Sequence, residues 1–573
     1  MSWTNPIAVG AILRDNHAHH FVSLSQSLTL VTGGFIVKSR VVRRAGIVAI
    51  LLLSFSLLAV GQVAVTTYHN DNSRSGLNAN ETILTPSNVN EVHFGKVLVL
   101  PVTGQVYAQP LYVPGVNING TLHNVVYVVT EHDQAYAFDA NSGQQLWQTS
   151  FIGTVGGHQT VPVAYQDLED CYNLEPEIGI TSTPVIDLTS NEIYMVAKTK
   201  ELFGAIYVFY QRMHVLDIRT GVENLSDLYF GAPITATTPG TGSGSNNGYL
   251  TFDPRIENQR AALTLSNNLI YVAWGSHCDI RSYHGYVMAF EKGSARPDGV
   301  YVDTSDAYQG GIWMGGVGPA VDSAGSLYLT TGNGYFDANV GGIDYGDSIL
   351  RLTWSTPFPG VADYFTPWDQ AMLNSHDQDV ASGGVLLLPD QPGAPYPHLL
   401  VQDAKEGTID LVDRDHMGHY NPSGDTQIVQ TLPFATGGVF GGPAMWNNNL
   451  YFGGQHSPLE AFYYDPVAQQ IQAQYTSATP ETFVFPGPTP SVSANGTSNA
   501  ILWVIETDSF ENGGNAVLRA YDANNLATEF YNSNMNQGRD QAGLAVKFAV
   551  PTVADGMVFV GAQNEVDVYG LLN

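Results

Sequence analysis

A unit of short strands and turns repeats along this chain, and it limits the possible folds more than any other feature. Its clearest copy runs from Val126 to Trp147, VYVVTEHDQAYAFDANSGQQLW. Residues 126–129 and 135–138 are β-branched and aromatic runs separated by Glu131-His132-Asp133, which reads as two strands and a reversal. Asp139-Ala140-Asn141-Ser142-Gly143 supplies turn chemistry, with Gly143 free to take a positive φ, and Trp147 follows as an apolar anchor. Gln109-Pro110-Leu111-Tyr112 adds a strand upstream, so one unit is a small antiparallel meander.

Seven further copies follow. Their second strands are residues 193–196, 270–273, 327–330, 399–401, 450–453, 502–505 and 558–561, each preceded by an opening strand such as 183–187, 318–322 or 550–553. A period of roughly 45 to 75 residues, made of short strands and Gly/Pro turns, predicts radial blades rather than a solenoid or a sandwich. The expected fold is therefore all-β, an eight-bladed β-propeller of four-stranded antiparallel blades. Residues 95–100 are expected to pair with the C-terminal strand near 566–569, which would close the ring and remove exposed sheet edges. The copies differ in length, so insertions fall between strands, where binding sites are commonly built.

The N-terminal residues do not share this pattern. A basic cluster at 38–44 leads into an uncharged apolar run at 47–60, and Ala59-Val60-Gly61 is a small-x-small site that would leave Gln62 first. This is a signal-peptide layout; the alternative is an uncleaved anchor, although the run is short for a span. Residues 1–37 are also what a start codon placed too early would add. The expected division is an N-terminal extension and signal peptide at 1–61 and a single propeller domain at 62–573. The product would be exported, periplasmic or extracellular, with no stable membrane span after cleavage.

Charge narrows the partners. The chain has 52 acidic against 22 basic residues, a net charge of −30, and cleavage at residue 61 would remove five Lys/Arg and one Asp and deepen the imbalance. Such a surface repels phosphate backbones and anionic lipid, and no basic stripe is present, so nucleic acid is excluded. Solubility of an exported protein suffices to explain the excess. The two cysteines, Cys171 and Cys278, lie in different repeats; export permits a bridge, but no spacing argument brings them together. CxxC, HExxH, CxxCH, Gly-x-Ser-x-Gly and phosphate-loop patterns are absent, which leaves no sequence basis for a structural zinc, covalent haem, an esterase elbow or nucleotide binding.

Residues 67–76, TYHNDNSRSG, followed by Leu84-Thr85-Pro86-Ser87-Asn88-Val89 and by the 138–147 turn ending in Trp147, resemble the quinoprotein alcohol dehydrogenases and their eight-bladed relatives. The resemblance spans Thr67 to the C-terminus as an architecture and a few positions at motif level. It implies a calcium- and pyrroloquinoline quinone-dependent oxidoreductase acting on an alcohol or sugar. The other reading is a non-catalytic extracellular propeller that binds a ligand, a glycan or a protein partner.

Three stretches are similar to the family's quinone pocket, in the family's order. In Gly310-Gly311-Ile312-Trp313-Met314-Gly315, Trp313 would form the floor under the quinone, and in Thr331-Gly332-Asn333-Gly334, Asn333 would coordinate calcium, for which a rigid amide oxygen is apt. The alternative for Asn333 is a turn residue in the left-handed conformation. His376-Asp377-Gln378-Asp379-Val380-Ala381-Ser382-Gly383 is similar to the segment that carries the catalytic base. This implies Asp379 as base and calcium neighbour, with Asp377 a close rival and an ordinary polar loop the alternative. In residues 405–414, Lys405 would reach a quinone oxygen, although this match also suits any propeller of the type. The family's adjacent cysteines and following Arg are missing. Here the comparable stretch is Glu169-Asp170-Cys171-Tyr172-Asn173-Leu174-Glu175-Pro176-Glu177, whose acids would repel a tricarboxylate, hold a cation, or simply form a solvated loop. Finally, His277, Asp279 and His284 could ligate a transition metal or relay protons, or cap loops.

Overall fold

The computed structural model describes residues 63–572 apart from 156–157, 226–230 and 357–358. The extension, signal-peptide and cleavage-site expectations fall outside the described residues. No helix among the described residues is long and apolar enough to cross a membrane.

The first sheet shows why the repeat reads as it does. Leu111–Ile118, Thr121–Thr130, Gln134–Asp139 and Gln145–Ser150 pair in sequence order, all antiparallel. Residues 125–129 are at most 3% exposed, because a sheet packed between two neighbours buries both faces of its central strands. A strand covered on both faces reads as a continuous apolar run rather than an alternating one. The seven other second strands lie where the sequence put them, and the β-propeller is confirmed.

Seven sheets keep this four-stranded meander, some with one added strand. The second in chain order departs from it. Its central hairpin, Glu192–Phe203 with Ile206–Asp217, is twelve residues long on each side and outruns the short opening strand Val185–Asp187. His158–Ala164 fills the overhang by pairing with Thr199 to Leu202, and Gly153–Val155 extends it to a seven-stranded sheet. The expectation of eight four-stranded blades is thus corrected to seven regular blades and one widened sheet. The physical reason is that an overlong hairpin leaves a row of unpaired backbone groups, which the insertion between the first two units satisfies.

The ring closes by the pairing of Phe94–Gln105 with Gln563–Leu571, in which Leu98 faces Val568 and Leu100 faces Val566. Trp147 docks on the neighbouring sheet, its Nε1 donating to the Ile218 carbonyl at 2.9 Å. The segment after the N-terminal masked residues threads one end of the ring. Ile186, Val321, Leu387, Met445 and Val492, in or beside the opening strands of five sheets, donate their N–H groups to the carbonyls of Thr66, Asn72, Ser73, Ser75 and Gly76. Arg74, 1% exposed, donates to Thr67 Oγ1, Thr264 Oγ1 and the carbonyls of Tyr68, Gly318 and Pro319, tying three parts of the ring together.

Candidate functional site

A cavity of about 280 Å³ is lined by Trp313, Asp377, Asp379 and Lys405 together with Arg260, Lys547, Tyr283, Phe440, Phe485 and Phe548. Close backbone approach sets up its floor. Gly332 donates to the Gly311 carbonyl at 2.9 Å, and a Cβ on Gly332 would stand 2.6 Å from Asp379 Oδ1 and 3.4 Å from Trp313 Nε1. Only glycine lets that strand end come so near both side chains. Trp313 itself packs over Gly275, where a Cβ would come within 3.0 Å of the Trp313 Cβ, and its ring lies 6.2 Å from that of Phe440.

Asn333 is held at three points. Its N–H donates to Asp379 Oδ1 at 3.1 Å, its carbonyl accepts from Gly310 at 2.7 Å, and its Nδ2 donates to Asp377 Oδ1 at 2.8 Å. Asn333 does not take the left-handed conformation that a simple turn would give it. Its Oδ1 is buried with no hydrogen-bond partner among the described residues. A buried unpaired acceptor is costly, so this oxygen is a place where a cation or donor would be stabilised.

Lys405 bridges the two aspartates, with Nζ 2.8 Å from Asp377 Oδ2 and 3.2 Å from Asp379 Oδ2. The rivals separate by burial. The Asp377 side chain is 70% exposed, whereas that of Asp379 is 13% exposed. Burial raises the Asp379 carboxyl above its ordinary range, with Lys405 and the Asn333 N–H pulling it back. Burial works against the Lys405 charge, but Asp379 and Asp377 outweigh it and hold the ammonium protonated.

Two lining cations escaped the sequence reading. Arg260, 6% exposed, makes one long bond, Nη2 to the Gly315 carbonyl at 3.3 Å, and lies 4.6 Å over the Phe548 ring. Lys547 Nζ sits 5.4 Å from the Phe510 ring and 5.6 Å from that of Phe548, and burial pushes it down to about 8. Neither ion-pairs with a carboxylate within 4.0 Å among the described residues. Each is an isolated basic residue in polar or apolar text, so no motif marked it.

The cysteines form a bridge, Cys171 to Cys278, and Cys278 borders the cavity. It links the acidic loop to the third sheet over a separation of 107 residues, which no spacing rule predicts. Part of the acidic edge is engaged elsewhere, Glu169 with Arg281 and Glu177 with His132, but the charge of Glu175 still reaches the cavity-lining Lys547, and Asn173 and Leu174 face the cavity. The His277, Asp279 and His284 cluster is not a metal site. His277 Nε2 lies 2.8 Å from Lys198 Nζ, His284 Nε2 is 2.8 Å from the Ser243 carbonyl, and Asp279 Oδ1 accepts from Tyr283 and Ser276. No group of three or more His, Cys, Asp or Glu among the described residues is disposed to hold a metal ion.

The fold is that of the quinoprotein alcohol dehydrogenase-like propellers. The chain is similar to a quinohemoprotein alcohol dehydrogenase of Pseudomonas putida HK5 at 13% identity, over 89% of this chain and 80% of that one, with a TM-score of 0.57. It is similar to the quinohemoprotein alcohol dehydrogenase of Comamonas testosteroni (13%, 90% and 82%, TM-score 0.52) and to a europium-containing methanol dehydrogenase (11%, 89% and 98%, TM-score 0.54). No protein-family model and no curated protein sequence matches it. At such identities the likeness concerns the fold.

Proposed function

We propose that this chain is an exported oxidoreductase that holds pyrroloquinoline quinone and calcium in the Trp313 cavity and oxidises an alcohol or sugar. The observation that carries the reading is convergence. Trp313, Asp379 and Lys405, from loops far apart in sequence, line one cavity, and Asn333 abuts it through its bonds to both aspartates. Aromatic rings that suit a planar cofactor line it together with Arg260 and Lys547, neither of which has a carboxylate within 4.0 Å among the described residues, although Asp279, Asp377 and Asp379 line it too. Arg260 and Lys547 would hold the carboxylates, standing in for the Arg missing beside Cys171. Asn333 Oδ1 and Asp379 would offer two oxygens to calcium, and no group of three or more His, Cys, Asp or Glu among the described residues adds to them.

The quinone, when bound, supplies a two-electron acceptor for the hydride of the substrate carbon. Asp379 takes the hydroxyl proton as general base, and its raised affinity for protons, caused by burial, brings it nearer to working pH than an exposed aspartate would be. Lys405 fixes the Asp379 carboxylate through Oδ2 while the Asn333 N–H fixes it through Oδ1. Trp313, Phe440 and Phe485 exclude water from the reacting face. The disulfide supports export, since such bridges persist in oxidising compartments.

One observation favours the binding-only propeller: Asp379 already has a cation partner in Lys405. Loading the purified chain with quinone and calcium separates the readings, with cofactor absorbance and alcohol-dependent dye reduction as readouts. The enzyme reading expects both signals, and Asp379→Asn should lower turnover on the order of 100- to 10,000-fold while keeping the cofactor. Cofactor retention without turnover on any alcohol or sugar would reject it. We also count the widened second sheet as an eighth blade, because its strands 185–187, 192–203 and 206–217 occupy the meander positions of the others; an experimental structure with seven equally spaced sheets would reject that count.

A further inference from the structure

A second cavity, of about 350 Å³, lies across the wall that carries Asp379 and Lys405. This wall is a loop at 376–380 and a turn at 404–407 closed by the Gly407 N–H on the Ala404 carbonyl at 2.9 Å, and Asp377, Asp379 and Lys405 line the first cavity while Gln378, Val380, Ala404 and Glu406 line the second. The second is lined by four carboxyls, Asp369, Glu406, Asp410 and Asp425, and its rim carries Trp368 and Phe434, which are 49% and 71% exposed. No Lys, Arg or His lines it, and none of the four acids ion-pairs among the described residues.

Asp410 is the decisive member. It is 5% exposed, lines the cavity, and its Oδ1 has no hydrogen-bond partner. Burial pushes its carboxyl up to about 8, with Asp425, Asp369 and Glu406 adding repulsion; burial likewise pushes Asp425 up to about 6. Asp425 Oδ1 accepts from the Trp368 N–H and Glu406 Oε2 from the Thr408 hydroxyl, so both are positioned rather than free to turn away. A buried carboxyl with a free acceptor and three acidic neighbours is stabilised either by its own proton or by a cation that takes the proton's place.

Two features choose the kind of cation. The carboxyls are too dispersed to form a compact inner sphere, since no metal-holding group occurs among the described residues. The space is many times an ion's volume and carries Trp368, Phe434 and Met372, surfaces that suit C–H groups and the charge of an ammonium. We propose that this cavity binds a small organic ammonium ion, a mono- or diamine with an apolar skeleton, seated on Asp410 and covered by Trp368. The site is independent of any quinone in the first cavity.

The test is calorimetric titration of the full chain with 1,4-diaminobutane, with tryptophan fluorescence recorded in parallel. Saturable one-to-one binding is expected, weakened at least tenfold in Asp410→Asn and in Glu406→Gln, and unchanged in Asp379→Asn. Trp368→Phe should keep the heat and lose the fluorescence change. Absence of saturable binding to the parent protein at millimolar diamine would overturn the proposal. So would one-for-one displacement of the diamine by calcium chloride, or equal binding by both acid-to-amide variants.

Discussion

The two cavities share a wall of a few residues and differ in charge. The first sets Arg260, Lys405 and Lys547 against Asp279, Asp377 and Asp379, whereas the second carries Asp369, Glu406, Asp410 and Asp425 with no basic residue. The difference is local, because Lys405 and Glu406, the central pair of the turn closed by the Gly407 N–H on the Ala404 carbonyl, line different cavities. Although the protein has 52 acidic and 22 basic residues, it places three cations around the first cavity and none around the second. The two cavities also differ in how they are fixed: the first is bordered by the Cys171–Cys278 bridge, whereas the second rests on the short helix Gln370–Ser375 and surrounding loops.

Removing the bridge should produce the largest effect and act on one side. Cys171→Ser with Cys278→Ser frees a loop of 107 residues, for which chain-entropy arguments give about 5 kcal/mol of lost stability. Thermal melts should show that loss, quinone binding should weaken, and diamine binding below the new melting temperature should persist. Loss of both ligands together would mean that the cavities are not separate.

Lys405→Met attacks the shared wall. It leaves Asp379 buried without its cation, at a cost of roughly 3 kcal/mol at pH 8. The folded carboxyl would then hold its proton to still higher pH, so the loss is greatest in alkali and shrinks as pH falls towards the unfolded value. Lys405→Met combined with Asp379→Asn should recover most of the stability. Denaturant titrations across pH check both statements.

Asp410→Asn should have the smallest effect and the opposite sign. The folded carboxyl is raised from 3.8 to about 8, so between those values the native state keeps a proton that the unfolded chain has released. Stability therefore falls as pH rises through this window, and an amide removes the penalty. The variant should be more stable by about 2 kcal/mol at pH 9, after discounting for relaxation, and indistinguishable at pH 3. A destabilised variant at pH 9 would show that Asp410 already has a counter-charge.

Much of this was legible before any coordinates. Apolar runs such as 270–273 and 502–505 announce their strands because sheets stacked in a ring bury both faces, and the 95–100 run pairs with the C-terminal strand as expected. Trp313, Asn333, Asp379 and Lys405 could be singled out because each sits in a short ordered motif. The rest depends on distance in sequence. Nothing local marks Cys171 as the partner of Cys278, and Arg260 and Lys547 are brought to the cavity by the ring's curvature. The widened second sheet hides in an insertion of ordinary strand-forming text. The acidic cavity was missed because Glu406 and Asp410 lie inside a motif read for its other face.

The most direct measurement is an equilibrium titration of the full chain with pyrroloquinoline quinone in the presence of calcium, followed by cofactor absorbance and repeated on Arg260→Ala, Lys547→Ala and Asp410→Asn. The account predicts one quinone per chain, at least tenfold weaker binding in each of the first two variants, and unchanged binding in the third. Failure of the parent chain to bind, or equal binding by the Arg260 and Lys547 variants, would contradict it.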